Sequence, residues 1–122
     1  MPRNILLITT DLQRYDSLGC TGGTVASTPN IDDLAHKGII YRQARNQCPV
    51  CMPARSTILT GQYIRMHGVT SNGIPLPADH PSLAHELKPV GYSTALIGKA
   101  HFEPHAAKTF FENIAAGENT YG

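Results

Sequence analysis

An excess of charge of either sign is missing from this chain. Ten Lys and Arg face nine Asp and Glu, a formal net charge of +1, so the composition offers neither nucleic acid nor a membrane surface a basic field to bind. Long apolar runs are missing as well, and nothing is long enough to cross a bilayer. The stretch Ile5 to Thr10 is too short and too β-branched for the core of a signal peptide, which leads us to expect a cytoplasmic location, or a secreted or periplasmic one if a leader has been removed. Three cysteines, Cys20, Cys48 and Cys51, are an odd number and give no disulfide framework. No repeat or low-complexity segment stands out. What remains, 41% apolar and 16% charged over 122 residues, is the composition of a globular chain large enough for one small domain with its own core.

What is there concentrates at Cys51-Met52-Pro53-Ala54-Arg55-Ser56-Thr57-Ile58-Leu59-Thr60-Gly61. Pro53 lacks an N–H and fixes φ, so it suits the first turn of a helix that Ala54 to Leu59 continue and Gly61 caps. Cys51 then stands at the helix N-terminus, where backbone N–H groups and the positive end of the dipole favour a thiolate or the oxyanion of a sulfate or phosphate ester. Arg55, one turn in, adds a bidentate cation. A plainer reading makes Cys51 a small buried residue and Arg55 a surface cation. Cys48-Pro49-Val50-Cys51 also has the Cys-x-x-Cys spacing of a redox dithiol or half a zinc site. Only Cys20 remains as a further thiol, no second pair follows, and a dithiol leaves Pro53-Ala54-Arg55 unexplained.

Other segments fill in an α/β pattern. Asn4 to Asp11 reads as a short buried strand that delivers Asp11 at its C-terminal end, the edge at which open α/β sheets carry their sites. Thr28 to Gly38 reads as a helix with Thr28 capping, Pro29 first, acids in the first turn, Lys37 in the last and Gly38 ending it. Ile31, Leu34 and Ala35 form its apolar face, and Asp32 and Asp33 are assigned to the dipole and solvent. A helix from Pro81 to Lys88 precedes a strand from Tyr92 to Ile97, after which Gly98 turns the backbone so that Lys99 and His101 emerge together. Gly68 to His80 reads as a loop, with His67 before it taken as structural. Ala106 to Ala116 suits a short helix, and Gly117 to Gly122 a frayed end.

In this order the segments resemble the sulfatase family: an aspartate on the first strand, Thr-Pro-Asn-x-Asp on a helix, Cys-x-Pro-x-Arg, and a Gly-Tyr-x-Thr strand followed by Gly-Lys and a histidine. The resemblance implies an α/β fold of the alkaline-phosphatase type, a mixed or mainly parallel sheet flanked by helices, of which residues 1–122 are the incomplete N-terminal portion. It implies that Cys51 is oxidised by a sulfatase-maturing enzyme to formylglycine, whose hydrate, a geminal diol, is the nucleophile for a small-molecule sulfate ester, with Arg55 stabilising its alkoxide. Lys99 would contact the formylglycine and the sulfate, and His101 would assist expulsion of sulfate by deprotonating the second hydroxyl. Asp11 and the oxidised Cys51 would help hold a divalent metal, calcium first, magnesium or manganese otherwise. Two positions depart from the pattern. Leu12 replaces a second aspartate, which removes one metal ligand, and Ala100 stands where an aromatic is common. Leu12 leaves open a phosphonate monoester or phosphodiester hydrolase of the same superfamily, and the missing ligands leave open a catalytically silent fragment.

Overall fold

The computed structural model describes residues 3–101 and 111–115. The chain divides into two compact units, Met1–Ala44 and Arg45–Gly122.

In the first unit, residues 4–10 run without regular structure, and among the described residues no strand pairs with them. This corrects the buried strand expected over Asn4 to Asp11. Ile5, Leu6, Leu7 and Ile8 are 60–84% exposed; a run this apolar becomes a buried strand only when neighbours take up its backbone groups and both its faces. Two 3₁₀ turns follow, Tyr15–Ser17 and Gly19–Thr21, and then α1, Pro29–Lys37. The bounds of α1 are those read from its Pro29 start and Gly38 stop, but its apolar face is uncovered, with Leu34 68% exposed.

Its cap also differs from expectation, because the Thr28 side chain makes no capping bond to its own helix. Thr28 Oγ1 instead accepts Gly19 N–H at 2.9 Å and donates to the Asp32 carboxylate at 3.0 Å. Asp32 Oδ1 accepts Cys20 N–H as well, at 2.7 Å. Asp32, assigned to the dipole and solvent from sequence, therefore fastens the Gly19–Thr21 turn to the start of α1. A Cβ at position 19 would land on the Asp32 carboxylate and push it off these bonds.

The second unit holds the core. α2, Cys51–Thr60, buries Met52 and Leu59 against Val69, Leu76 and Ala84. The seven-residue step from Met52 to Leu59 puts both on one helix face. Gly61 ends α2 with a left-handed φ of 68° and returns its N–H to Thr57 O at 2.8 Å. A four-residue helix not foreseen from sequence, α3, Ile64–His67, comes next. The loop that follows contributes Val69 and Leu76 to the core. α4, Leu83–Leu87, is capped by Ser82, whose hydroxyl accepts His85 N–H at 3.3 Å. A 3₁₀ turn, Lys88–Val90, leads on to β1, Ala95–Ile97.

β1 pairs in parallel with β2, Asn113–Ala115, Leu96 opposite Ile114. β2 corrects residues 113–115 of the helix expected over Ala106 to Ala116, whose residues 106–110 and 116 lie outside the described residues, as does the expected frayed end at 117–122. Asn113 and Ile114 are weak helix formers, and parallel pairing with the Ala95–Ile97 edge decides their state. Among the described residues no helix is long and apolar enough to cross a membrane.

Candidate active site

Cys51 is the first residue of α2 and half-buried. Val50, the residue before it, gives no side-chain cap. The acceptor comes from the loop after α3: Asn72 Oδ1 takes Met52 N–H at 3.0 Å, and Gly73 N–H donates to Met52 Sδ at 3.1 Å. One amide at the positive end of the helix is thereby satisfied from outside, and the dipole at Cys51 keeps its direction. Nothing in the sequence singled out Asn72 for this. Asn72-Gly73 reads as an ordinary turn dipeptide, and its partner lies 20 positions away.

Arg55 lies one turn beyond Cys51 on α2, the spacing at which two helix side chains are neighbours. Its Nη1 donates to the backbone carbonyl of Lys99 at 2.7 Å. Lys99 and His101 follow β1 through the turn at Gly98, where φ is 91°, as the sequence predicts. The half-buried Arg55, Lys99 and His101 thus belong to one unit with Cys51. Asp11 ends the exposed segment of the other unit.

The two non-glycine residues with positive φ among the described residues are Leu12, at 54°, and His101, at 49°. One follows Asp11 directly, and the other is itself a candidate. Left-handed backbone costs a branched or bulky residue roughly 1–2 kcal/mol; Leu12 is 96% exposed, so no packing around its side chain imposes it, and histidine takes this conformation more readily than leucine.

Farther along α2, Thr57 Oγ1 lies 3.0 Å from Nε2 of His67. The ring is 4% exposed, and its Nδ1 accepts Val69 N–H at 3.1 Å. Burial, aided by the charge of His80, holds the His67 imidazole below the ordinary histidine range. The structural reading of His67 is the one the packing gives. In the first unit, burial and the neighbouring Asp32 raise the pKa of the Cys20 thiol.

A hard divalent cation takes six or more oxygen ligands. Among the described residues no group of three or more His, Cys, Asp or Glu side chains gathers to hold one, so Asp11 and Cys51 do not by themselves make a metal site.

A family model described as Sulfatase matches residues 3–122. The chain is 36% identical over 102 residues to a protein of Escherichia coli K12 named uncharacterized sulfatase YidJ, covering 84% of this chain and 20% of that one. Among solved structures, the phosphonate monoester hydrolase of Agrobacterium radiobacter superposes with a TM-score of 0.75 at 29% identity, over 88% of this chain and 24% of that one. A protein solved in complex with its substrate D-glucosamine-2-N,6-O-disulfate superposes with a TM-score of 0.77 at 30% identity, over 82% of this chain and 20% of that one. These neighbours have the alkaline-phosphatase-like fold. The chain spans about a fifth of the length of the curated relatives it matches.

Proposed function

The chain belongs to the sulfatase family, and from that membership we propose that it carries the nucleophile-bearing part of a sulfuric ester hydrolase. The observation that carries this reading is the hydrogen bond from Arg55 to the Lys99 carbonyl, which joins the cysteine helix to the lysine turn, two segments far apart in sequence. In the proposed site Cys51 is oxidised to formylglycine by a sulfatase-maturing enzyme, the aldehyde adds water to a geminal diol, and one of its oxygens attacks sulfur and displaces the alcohol of the ester. Arg55, held at a fixed distance along the same helix, places positive charge beside that oxygen. Lys99 neutralises charge that grows on the sulfuryl oxygens, the kind of stabilisation that dominates group transfer of this type. His101 accepts the proton of the second hydroxyl, and as that oxygen reforms the aldehyde C=O the C–O bond to sulfate breaks and sulfate leaves.

A divalent metal, calcium before magnesium or manganese, belongs to the proposal through Asp11 and the oxidised Cys51. Those two residues do not complete its coordination, and no step is derived through it. The substrate class is a small-molecule sulfate ester, supported by the disulfated sugar that is the substrate of one structural neighbour. Leu12, where a second aspartate stands in the sulfatase pattern, favours a second reading, a phosphonate monoester or phosphodiester hydrolase of the same superfamily. Likeness to the Agrobacterium enzyme supports it.

Mass spectrometry of the tryptic peptide 46–55, from protein produced with a maturing enzyme, tests the nucleophile. The mass loss of thiol-to-aldehyde conversion at Cys51 is expected, and an unchanged thiol under those conditions counts against it. Parallel assays of the matured whole protein on 4-nitrophenyl sulfate and a phenyl phosphonate ester decide between the substrates.

A further inference from the structure

His67 has no part in the proposed chemistry, yet both of its ring nitrogens are engaged. A backbone amide can only donate, so Nδ1, which receives Val69 N–H at 3.1 Å, must offer a lone pair. The ring proton is then on Nε2, and the 3.0 Å contact to Thr57 Oγ1 is a donation from histidine to threonine. Thr57 lies two residues beyond Arg55 and six beyond Cys51 on α2. Val69 is fully buried in the core.

The apolar face of α2 does not by itself fix how the helix is rotated. Burial of Met52 and Leu59 is non-directional and tolerates small shifts, whereas a hydrogen bond from a buried ring to one hydroxyl does not. Rotating or sliding α2 carries the Arg55 guanidinium off the Lys99 carbonyl and turns Cys51 with it. We infer that His67 is a positioning residue: its neutral, Nε2-protonated ring bolts α2 to the backbone of the buried Val69 just after α3 and so sets where Cys51 and Arg55 stand. What α2 positions rests on the sulfatase reading; the bolt itself does not. A proton gained at Nδ1 would face the Val69 N–H donor to donor and open the bolt. Among the described residues, His80 is the titratable group whose charge acts on this ring; its Nε2 is 2.9 Å from Gln62 Oε1.

Amide hydrogen exchange on the 122-residue chain tests the inference with Thr57→Val, which swaps one hydroxyl for a methyl, and His67→Gln. In Thr57→Val the α2 amides should lose protection about fivefold to tenfold, the size of one lost hydrogen bond, while those of α4 stay unchanged. In the wild type, α2 protection should also fall below about pH 6.5, the ordinary histidine value, and stay flat there in His67→Gln. Ring nitrogen shifts should report a protonated Nε2. A protonated Nδ1, unchanged α2 protection in Thr57→Val, or α2 and α4 losing protection together would each overturn the bolt. If His67→Gln does not fold, Thr57→Val carries the decision alone. Hydrolysis of 4-nitrophenyl sulfate by the matured whole protein decides separately: its absence there with the exchange pattern intact sinks the proposed hydrolysis and leaves the bolt standing.

Discussion

Arg55 reaches across 44 positions of sequence to the backbone carbonyl of Lys99. The carbonyl belongs to the main chain, so this hold on residue 99 does not need the lysine side chain. This separates the two residues experimentally. Arg55→Ala should cost the second unit about 1.5–3 kcal/mol, the range for a hydrogen bond from a charged group. Lys99→Ala keeps the carbonyl and with it this hydrogen bond, should cost less stability than Arg55→Ala, and under the proposed function lowers kcat on a sulfate ester by about 100-fold or more. Urea titration by circular dichroism and steady-state kinetics on the matured protein check the pair. Equal losses of stability in both variants would contradict it.

Asn72 is the borrowed cap of α2. Its replacement by alanine should destabilise the helix by about 1 kcal/mol, the usual worth of such an acceptor. Asn72→Asp keeps an acceptor and adds a negative charge at the positive helix end, so stability should hold. That same charge repels an anionic ester, and KM for a sulfate ester should rise. Thermal melts together with KM measurements would show the split.

The Cys20 thiol should be slow to react. Burial and Asp32 disfavour its thiolate, and thiolate is the form that alkylates. At mildly alkaline pH, iodoacetamide should modify Cys20 more slowly than the same cysteine in the urea-unfolded chain, and Asp32→Asn should speed the reaction. Mass spectrometry of the modified peptides reads both rates.

Acid should loosen the second unit through His67. Its folded pKa lies below the ordinary value of about 6.5, by burial first and then the charge of His80. Between the folded value and about 6.5 the unfolded chain binds a proton that the folded chain refuses, so stability rises with pH across that window. The contribution is complete above about 6.5 and is lost as pH falls toward the folded value. Urea midpoints measured at a series of pH values should slope accordingly in the wild type, with a smaller slope in His67→Gln.

Much of this was legible because the signals were local. Pro29 and Gly38 marked α1, Pro53 and Gly61 framed α2, and Gly98 marked the turn that presents Lys99 and His101. Each rests on a residue whose backbone preference is fixed by its own chemistry. What could not be read depends on distant partners. Asn72 on Met52, Asp32 on Cys20 and His67 on Thr57 join residues 10 to 20 positions apart, and no spacing rule announces such pairs. Ile5 to Ile8 failed for a related reason: apolar content alone does not supply a neighbouring strand.

The bare run from Ile5 to Ile8 has a practical consequence at the bench. Four adjoining large aliphatic side chains with unclaimed backbone groups form a sticky tape. In concentrated solution, copies of this polypeptide should glue themselves together through it. Planting a lysine in the tape, Leu6→Lys, is the cheapest cure to try before any spectroscopy.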